Sequence, residues 1–498
     1  MVYSVLKEPV IPVLWLNGST GAVGIREAFL RAHEIRDIQA DTPLERYALL
    51  RLLIVFAMDM LHPEDSYARR DLLDAGNFDP ETFDAYVALC EQDAPRFDLF
   101  DPEHPFLQSK YDESLDAKAE KPVAVIIHSL PSGNNHIFID HRKASTHEVS
   151  CDKAFRALVA SYLFCVSGTA GPSSINNTPP LYTVIIRDNL FETIVINMLS
   201  VAEAEPLPYG IGMVPWRNYH KVVPKETIAD VSLLEGLTWM PRRILLVANE
   251  GGSISRVYCQ AGLDFRGNAL WSDPFVPKFK KKDGTFGTIK PELGRDLWRD
   301  AGTLLYDHNG AAVRQPQVLQ DLFNVFDDDE IPEWIPIRAA GLNTNQAAYT
   351  GWYEDELSLP AALVHNQELA DLFRNDADMI EKTQNQLYSN VQRYVDKPRG
   401  GSVSKEHEVA TQCQQFFLQQ AHDLLFGSAL DEIIHAIPDT DHVNHFCDAV
   451  KGILKETIRH VLYSSGQDVK SVMQQMEAEK WIWISYSKLI EERRKYYV

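Results

Sequence analysis

The apolar periodicity of the chain changes at Pro360, and this change constrains the fold more than any other sequence feature. After this proline, apolar residues recur in four successive stretches with a period of about 3.6 residues, the spacing of amphipathic α-helices. The stretches begin near Leu369, Val409, Phe446 and Val469. Because the connections between them are short, the sequence predicts a four-helix bundle over residues 359–498.

Polar residues and glycines indicate where these helices begin and end. Ser404 is the predicted N-cap of the second bundle helix, because its hydroxyl can accept a hydrogen bond from an unpaired N–H of the first turn. Gly427 and Gly466 are expected to end the second and third helices, since glycine adopts the left-handed conformation that stops a helix.

The preceding residues 1–358 mix helical and strand patterns. The whole chain is therefore predicted to be an α+β protein, with a large mixed N-terminal domain followed by the bundle. Thr42-Pro43 signals the start of a buried helix that continues to Phe56, and a second helix is expected over Gly24–Ile38. Strands are expected at Val10–Trp15, Val123–Ile127, Leu181–Ile186 and on both sides of a turn at Gly251-Gly252.

Charge limits what the protein can bind. The 498 residues carry a formal net charge of -22, whereas affinity for phosphates comes from Lys and Arg. This charge argues against a general nucleic-acid binder. Any contact with DNA must be local, or must be shared with basic partner subunits.

The N-terminus lacks the basic start and apolar core of a signal peptide, because Lys7, Glu8 and two prolines interrupt it. No window of the sequence is long and apolar enough for a transmembrane helix. A soluble, cytoplasmic protein with no membrane partner is therefore expected.

Motifs of catalysis and cofactor binding are missing from the sequence. Gly21-Ala-Val-Gly24 is too short for a dinucleotide fingerprint, and neither a P-loop nor a GxSxG nucleophile motif occurs. The six scattered cysteines contain no CxxC pair, which argues against disulfides and structural zinc. We therefore predict no enzyme activity, no cofactor and no metal. A metal-dependent hydrolase built on His136, Asp140, His141 and His147 stays open as an alternative.

Several segments, taken in order, resemble the family of CasA proteins, the large subunits of type I-E CRISPR Cascade complexes. The resemblance covers most of the chain, from residue 8 to about 350 and then the helical region. It lies in Glu8–Val13, Pro43–Leu53, Phe100–Gln108, Ser132–His141, Pro215-Trp216, Gly236–Pro241 and Asn343–Ala348.

The resemblance implies that the N-terminal domain reads the protospacer-adjacent motif (PAM) of double-stranded DNA through the minor groove. It implies three devices: a glycine loop at Ser167–Asn177 containing Gly168 and Gly171, a basic finger, and a wedge. The finger is assigned to Arg266, with the cluster Lys278–Lys282 as an alternative. The wedge, which opens the duplex beside the PAM, is assigned to Asn345, Gln346 and Ala347.

The resemblance also implies the partners, namely other Cascade subunits, the crRNA, the target DNA and a helicase–nuclease. A loop with Asn134, Asn135, Phe138 and Asp140 would dock on the crRNA and a neighbouring subunit. Basic bundle residues would follow the non-target strand; they are Arg393, Lys397, Arg399, Lys451 and Lys455. The alternative, which the net charge favours, is an interaction subunit without direct DNA readout.

Overall fold

The computed structural model divides the chain into two compact units. The first comprises Met1–Leu297 and Gly310–Ala361, and the second comprises Trp298–Asn309 and Ala362–Val498. The segment 298–309 thus belongs with the helical unit, which the sequence did not indicate. The structure describes residues 1–494 except 114, 116–117, 133–146, 167–174, 177, 206, 208, 218–221, 224, 267–270, 308–311, 327–329, 346–347, 400–406 and 436–439, and it does not describe the side chains of Arg399 and Thr440.

The first unit contains small sheets, which are almost entirely antiparallel. Their strand orders are β2-β1-β3, β4-β8-β7, β14-β13-β5, β11-β10-β12 and β6-β9, the last being a parallel pair. The strands are β1 (Ile11–Trp15), β2 (Thr20–Val23), β3 (Ile35–Ile38), β4 (Glu120–Pro122), β5 (Tyr182–Ile185), β6 (Thr227–Ile228), β7 (Arg242–Ala248), β8 (Ile254–Ala261), β9 (Asp264–Phe265), β10 (Lys278–Lys280), β11 (Phe286–Thr288), β12 (Val313–Arg314), β13 (Trp334–Asn345) and β14 (Ala348–Pro360).

Helices of the first unit pack around these sheets. They are α1 (Ile25–Leu30), α2 (Pro43–Leu61), α3 (Ser66–Ala75), α4 (Pro80–Cys90), α5 (Cys151–Leu163), α6 (Leu190–Ile196), α7 (Val201–Ala204), α8 (Leu233–Leu237) and α9 (Gln317–Gln320). Helix α2 lies at the centre, because its sequence is apolar on nearly every side and almost all of it is buried. As predicted, Thr42 caps it, with Thr42 Oγ1 accepting from the Glu45 N–H at 3.2 Å.

Two predicted elements of this unit are wrong. The helix expected over Gly24–Ile38 ends at Leu30, and Ile35–Ile38 forms β3, with Val13 paired to Ile38. Pairing with β1 buries Ile35 and Ile38 together, so tertiary contact overrides the helical spacing. The strand expected at Val123–Ile127 is a 3₁₀ turn over Val123–Ile126, since a short apolar run does not by itself distinguish a strand from a buried turn.

The second unit is helical and contains the four predicted long helices. Its helices are α10 (Ala361–His365), which starts at the boundary, α11 (Gln367–Val391), α12 (Lys397–Arg399), α13 (Glu408–Leu424), α14 (Leu430–His435), α15 (Thr440–Thr457) and α16 (Val469–Arg494). Ser404, the predicted N-cap before α13, lies outside the described residues. As predicted, the second bundle helix is interrupted at Gly427, which has non-helical backbone angles (φ -107°, ψ -113°), and a separate helix, α14, follows this kink. These angles are not the left-handed ones expected of a glycine that ends a helix.

Candidate functional site

A long hairpin positions the predicted wedge. Strands β13 and β14 pair from Trp334↔Pro360 to Asn345↔Ala348, with a register shift beside Asn343. Asn345 is exposed at the end of this ladder. Gln346 and Ala347 are the two residues between the paired ends and lie outside the described residues. Strands β13 and β14 are not among the elements predicted from the sequence, although Ile335, Ile337 and Ala339 alternate toward the core and provide a detectable strand signal.

Charged side chains hold the hairpin to the N-terminal part of the unit. Arg338 Nη2 donates to Asp37 Oδ2 at 2.7 Å, and Arg338 Nε donates to Glu356 Oε1 at 2.6 Å. Arg46 of α2 donates to Glu354 at 3.1 Å. Burial raises the pKa of the Glu354 carboxyl, and the charges of Arg46 and Arg338 oppose that rise. The hairpin is therefore supported by ion pairs that join distant parts of the chain.

Two glycines allow a loop to pack directly on the hairpin. A Cβ at Gly341 would lie 2.7 Å from Pro291 Cγ, and a Cβ at Gly351 would lie 2.8 Å from Leu293 Cδ1. Asn343 Nδ2 donates to the Pro291 carbonyl at 2.6 Å, and Thr350 donates to Asn343 Oδ1. This close packing fixes the backbone of the two paired strands near Asn345 and Ala348.

Near the turn, Tyr349 packs against a buried histidine. The ring centroids of His128 and Tyr349 are 5.2 Å apart, and Phe164 contacts the same imidazole edge-on at 6.3 Å. Burial lowers the pKa of His128 to about 4, and a hydrogen bond to the Phe164 backbone opposes this shift. Burial likewise raises the pKa of the Tyr349 hydroxyl. Both side chains are therefore neutral at neutral pH, as their apolar surroundings require.

This environment makes stability depend on pH through His128. Its pKa falls from 6.5 to about 4 on folding, so the unfolded chain binds the proton more readily. The contribution of His128 to the free energy of unfolding is full above about pH 6.5 and is lost as the pH falls toward 4. Through His128, the free energy of unfolding of the wild type is expected to fall by about 2 kcal/mol between about pH 7 and about pH 4.5. We expect His128→Phe to lack this part of the decrease. Urea unfolding of both proteins at the two pH values measures this; an equal loss in both would contradict it.

Arg266, the predicted basic finger, is an exposed side chain after β9. Its side chain is 70% exposed, and its Nη2 and Nε lie 2.8 and 2.9 Å from Asp264 Oδ2. An exposed ion pair of this kind contributes little to stability, so Arg266 can readily exchange Asp264 for another anion. The backbone N–H of Arg266 donates to the Ile228 carbonyl at 2.9 Å, which fixes where the side chain leaves the main chain.

Most of the other predicted site residues lie outside the described residues. These are Gly168 and Gly171 of the glycine loop, and Asn134, Asn135, Phe138 and Asp140 of the docking loop. His136, Asp140 and His141 of the alternative metal cluster lie there too. In the part of the chain that the structure does describe, no group of three His, Cys, Asp or Glu side chains is arranged to hold a metal ion.

In the helical unit, the predicted basic residues occupy two places. Arg393 and Lys397 are exposed in the turns that follow α11, where Asp396 accepts from the N–H groups of Val409 and Ala410 at 3.2 and 2.9 Å. Lys451 and Lys455 are exposed one turn apart on α15. The structure does not describe the side chain of Arg399.

Three of the segments that resemble the family meet in the first unit around one cavity of about 310 Å³. Phe106 and Gln108, Trp216, and Trp239 line it. Gln108 Nε2 donates to the Leu99 carbonyl and Gln108 Oε1 accepts from the Leu246 N–H, both at 2.7 Å. Trp216 Nε1 donates to the Tyr86 hydroxyl at 2.7 Å. The polar groups of Gln108 and Trp216 are therefore used to hold the core together.

Comparison with known proteins agrees with this arrangement. The family model of the CRISPR-associated protein Cse1 matches residues 5–456. The CRISPR-associated protein CasA/Cse1 of Thermus thermophilus is 27% identical over 387 residues, covering 73% of this chain and 72% of that protein.

Solved structures share the fold. The structure of Thermus thermophilus CasA (Cse1) gives a TM-score of 0.74 at 21% identity, covering 97% of this chain and 99% of that chain. A chain of a CRISPR RNA-guided surveillance complex gives a TM-score of 0.76 at 18% identity, with 97% and 99% covered. The fold and the family match define a CRISPR-associated protein. Within that class, the chain belongs to the Cse1 family.

Among the helices in the described ranges, none has the length and apolar content needed to cross a bilayer. All six cysteines are buried, and none of them forms a disulfide. Burial raises the pKa of Cys165 to about 11 and that of Cys413 to about 12, so these thiols stay protonated at neutral pH.

Proposed function

We propose that this protein is a non-catalytic subunit of an RNA-guided CRISPR Cascade complex that recognises the PAM in double-stranded DNA and opens the adjacent base pairs. Membership of the Cse1 family and the shared fold with a surveillance-complex chain support the assignment to Cascade. The observation that carries the DNA-opening role is the anchored pair of strands β13–β14, whose paired ends Asn345 and Ala348 flank Gln346 and Ala347 in the sequence.

The hairpin has the properties that a wedge requires. A wedge must be small at its tip and must not yield when it separates stacked bases, a step that costs on the order of a few kcal/mol. The ion pairs of Arg338 and the packing of Pro291 on Gly341 supply the resistance. At the tip, the Gln346 amide offers a donor and an acceptor to replace the hydrogen bonds of an opened pair.

Recognition precedes opening in this proposal. The glycine loop with Gly168 and Gly171 brings backbone groups close to base edges, and Arg266 enters the minor groove after exchanging Asp264 for the acceptors there. Guide RNA then pairs with the target strand, so the protein reads only the PAM. Arg393, Lys397, Arg399, Lys451 and Lys455 hold the displaced strand through its phosphates.

Other subunits complete the function. The segment with Asn134, Asn135, Phe138 and Asp140 docks on the crRNA and a neighbouring subunit, and a helicase–nuclease is recruited to cut the opened DNA. No chemical step is assigned to this chain. Its net charge of -22 fits a subunit that relies on basic partners for most phosphate contacts.

Gln346→Ala tests the wedge in the assembled complex. Binding and opening are measured separately, by filter binding of PAM duplexes and by fluorescence of 2-aminopurine placed at the first pair beside the PAM. We expect opening to fall about tenfold or more while PAM-dependent binding persists, because only the interactions that replace the first base pair are removed.

Gln39→Ala is the matched control, since it is the same substitution at an exposed glutamine of the first unit. It is expected to bind and open DNA like the wild type. If Gln346→Ala also behaves like the wild type at several salt concentrations, Gln346 is a turn residue only. The alternative of an interaction subunit without DNA readout then takes precedence.

A further inference from the structure

A second cavity of the first unit, of about 570 Å³, is lined by hydrogen-bond donors and cations. It lies between Asn176, near the end of the predicted glycine loop Ser167–Asn177, and the small sheet β11-β10-β12. Trp271, Lys278 and Arg314 contribute an indole N–H, an ammonium and a guanidinium to its lining. These groups donate hydrogen bonds and accept none, so the cavity suits a ligand rich in acceptor oxygens.

Two of the cations are directly opposite each other in the sheet. Lys278 of β10 pairs with Arg314 of β12 in antiparallel register, which places both side chains on the same face. Like charges in such a pair destabilise a sheet unless an anion lies between or beside them. The Arg314 guanidinium is held over the Phe286 ring, with Cζ 4.7 Å from the ring centroid. A planar cation fixed on an aromatic face is pre-organised to bind an oxyanion.

Asp273, the carboxylate in the cavity lining, is already engaged. Its Oδ2 accepts from Arg51 Nη2 at 2.8 Å and from Asn176 Nδ2 at 3.1 Å. Its Oδ1 accepts from Arg51 Nη1 at 3.3 Å and from the Phe275 N–H at 3.0 Å. Arg51 therefore balances the charge of Asp273, and Lys278 and Arg314 add two further cationic groups to the lining.

Donor capacity remains in the cavity. Within the described ranges, the Lys278 ammonium has one hydrogen-bond acceptor, Ser272 Oγ at 2.7 Å, although it carries three N–H bonds. Trp271 Nε1 is buried and has no hydrogen-bond partner among the described residues. Burial lowers the pKa of Lys278, Asp273 opposes this shift, and Arg314 adds to it. A bound anion would stabilise the ammonium and satisfy the indole N–H together.

We propose that Lys278, Arg314 and Trp271 form an anion site that takes a phosphate group. The chemistry fits phosphate because a lysine point charge, a planar guanidinium and a neutral N–H donate to several oxygens of one tetrahedral anion. The phosphate comes either from the backbone of duplex DNA or from a free phosphate compound. The first source rests on the proposed function, because the cavity adjoins the predicted glycine loop and that loop is proposed to contact DNA. The existence of the anion site does not rest on the proposed function.

The site is tested first with inorganic pyrophosphate and the full chain, by isothermal titration calorimetry at constant ionic strength. Lys278→Gln and Arg314→Gln are each expected to weaken pyrophosphate binding about tenfold, since each removes a charge-assisted hydrogen bond. Trp271→Phe, which keeps the ring and removes the N–H, is expected to weaken it about threefold. If Lys278→Gln does not fold, Lys278→Arg is used; it keeps the charge and is expected to bind within about threefold of the wild type.

Lys282→Gln is the matched control. Lys282 belongs to the same basic cluster but is exposed on the turn after β10, so the substitution removes the same charge outside the cavity. It is expected to leave pyrophosphate binding unchanged. The proposal is overturned if the wild type does not bind pyrophosphate, or if Lys282→Gln weakens binding as much as Lys278→Gln, which would indicate diffuse electrostatic attraction.

A second experiment identifies the source of the phosphate. Duplex DNA without and with a PAM is bound to the assembled complex carrying Lys278→Gln, and pyrophosphate is added as competitor. Reduced duplex affinity together with competition supports a backbone phosphate, whereas unchanged affinity supports a free phosphate compound. Gln346→Ala reports on base-pair opening and does not alter this cavity, so failure of the wedge and failure of the anion site give different results.

Discussion

Arg51→Met is expected to lower the free energy of unfolding by about 4 kcal/mol, because it leaves the Asp273 carboxylate buried without its cation. Arg51 and Asp273 are 3% and 2% exposed. Their side chains form a bidentate pair at 2.8 and 3.3 Å, and Arg51 Nε also donates to the Leu237 carbonyl at 3.4 Å. The pair joins α2 to the segment before β10, so its loss affects both the core and the proposed anion site.

Arg26→Met is the matched control for this prediction. Arg26 forms a bidentate pair with Asp84 at 2.8 Å, but the two side chains are 43% and 55% exposed. Solvent screens this pair, so the same substitution is expected to cost less than about 1 kcal/mol. Urea unfolding followed by circular dichroism measures both variants against the wild type.

The double variant Arg51→Met/Asp273→Asn separates the ion pair from the packing of the methylenes. Most of the destabilisation by Arg51→Met comes from leaving the Asp273 carboxylate charged, buried and unpaired. Because Asp273→Asn removes that charge, the double variant is expected to be more stable than Arg51→Met alone. If the double variant is the less stable of the two, or if Arg51→Met costs no more than Arg26→Met, the pair is not acting as a desolvated ion pair.

Local signals in the sequence predicted the elements whose stability is local. Helix α2 was found because Thr42, Pro43 and a continuous apolar stretch agree with one another. The four long helices of the second unit were found because their period persists over many residues. The same reasoning failed at Ile35–Ile38, where a partner strand decides the conformation.

The candidate site residues also fall into those that a local motif predicted and those that depend on contacts between distant parts of the chain. Asn345 and Gln346 were selected from a short motif; the structure places Asn345 at the end of the β13–β14 ladder, and Gln346 lies outside the described residues. Lys278 was noticed only as part of a basic run. Its pairing with Arg314 depends on which strands lie side by side, and the pairing of Arg51 with Asp273 spans 222 positions of the chain. No local pattern encodes such pairings, so only the folded chain shows that Lys278 and Arg314 line one cavity.

The second unit contains a comparable buried network, centred on Asp376 of α11. The side chain of Asp376 is 0% exposed. His442 Nε2 of α15 lies 3.0 Å from its Oδ2, and Arg493 of α16 donates to its Oδ1. His442 Nδ1 lies 3.0 Å from Glu432 Oε2 of α14. With a carboxylate oxygen at each ring nitrogen, His442 donates from both nitrogens when it is protonated.

Asp376→Asn is therefore expected to lower the free energy of unfolding by about 3 kcal/mol, since the buried guanidinium of Arg493 loses the carboxylate that balances its charge. Asp378→Asn is the control: Asp378 is on the same helix, and its pair with Lys382 at 2.7 Å is exposed at both ends. Hydrogen exchange locates the effect, which is expected as faster amide exchange in α11, α15 and α16 for Asp376→Asn alone. Equal exchange in the two variants would contradict the role of Asp376. Because Asp376 bonds helices far apart in sequence, its loss should loosen their packing together, whereas loss of Asp378 changes only one turn of α11.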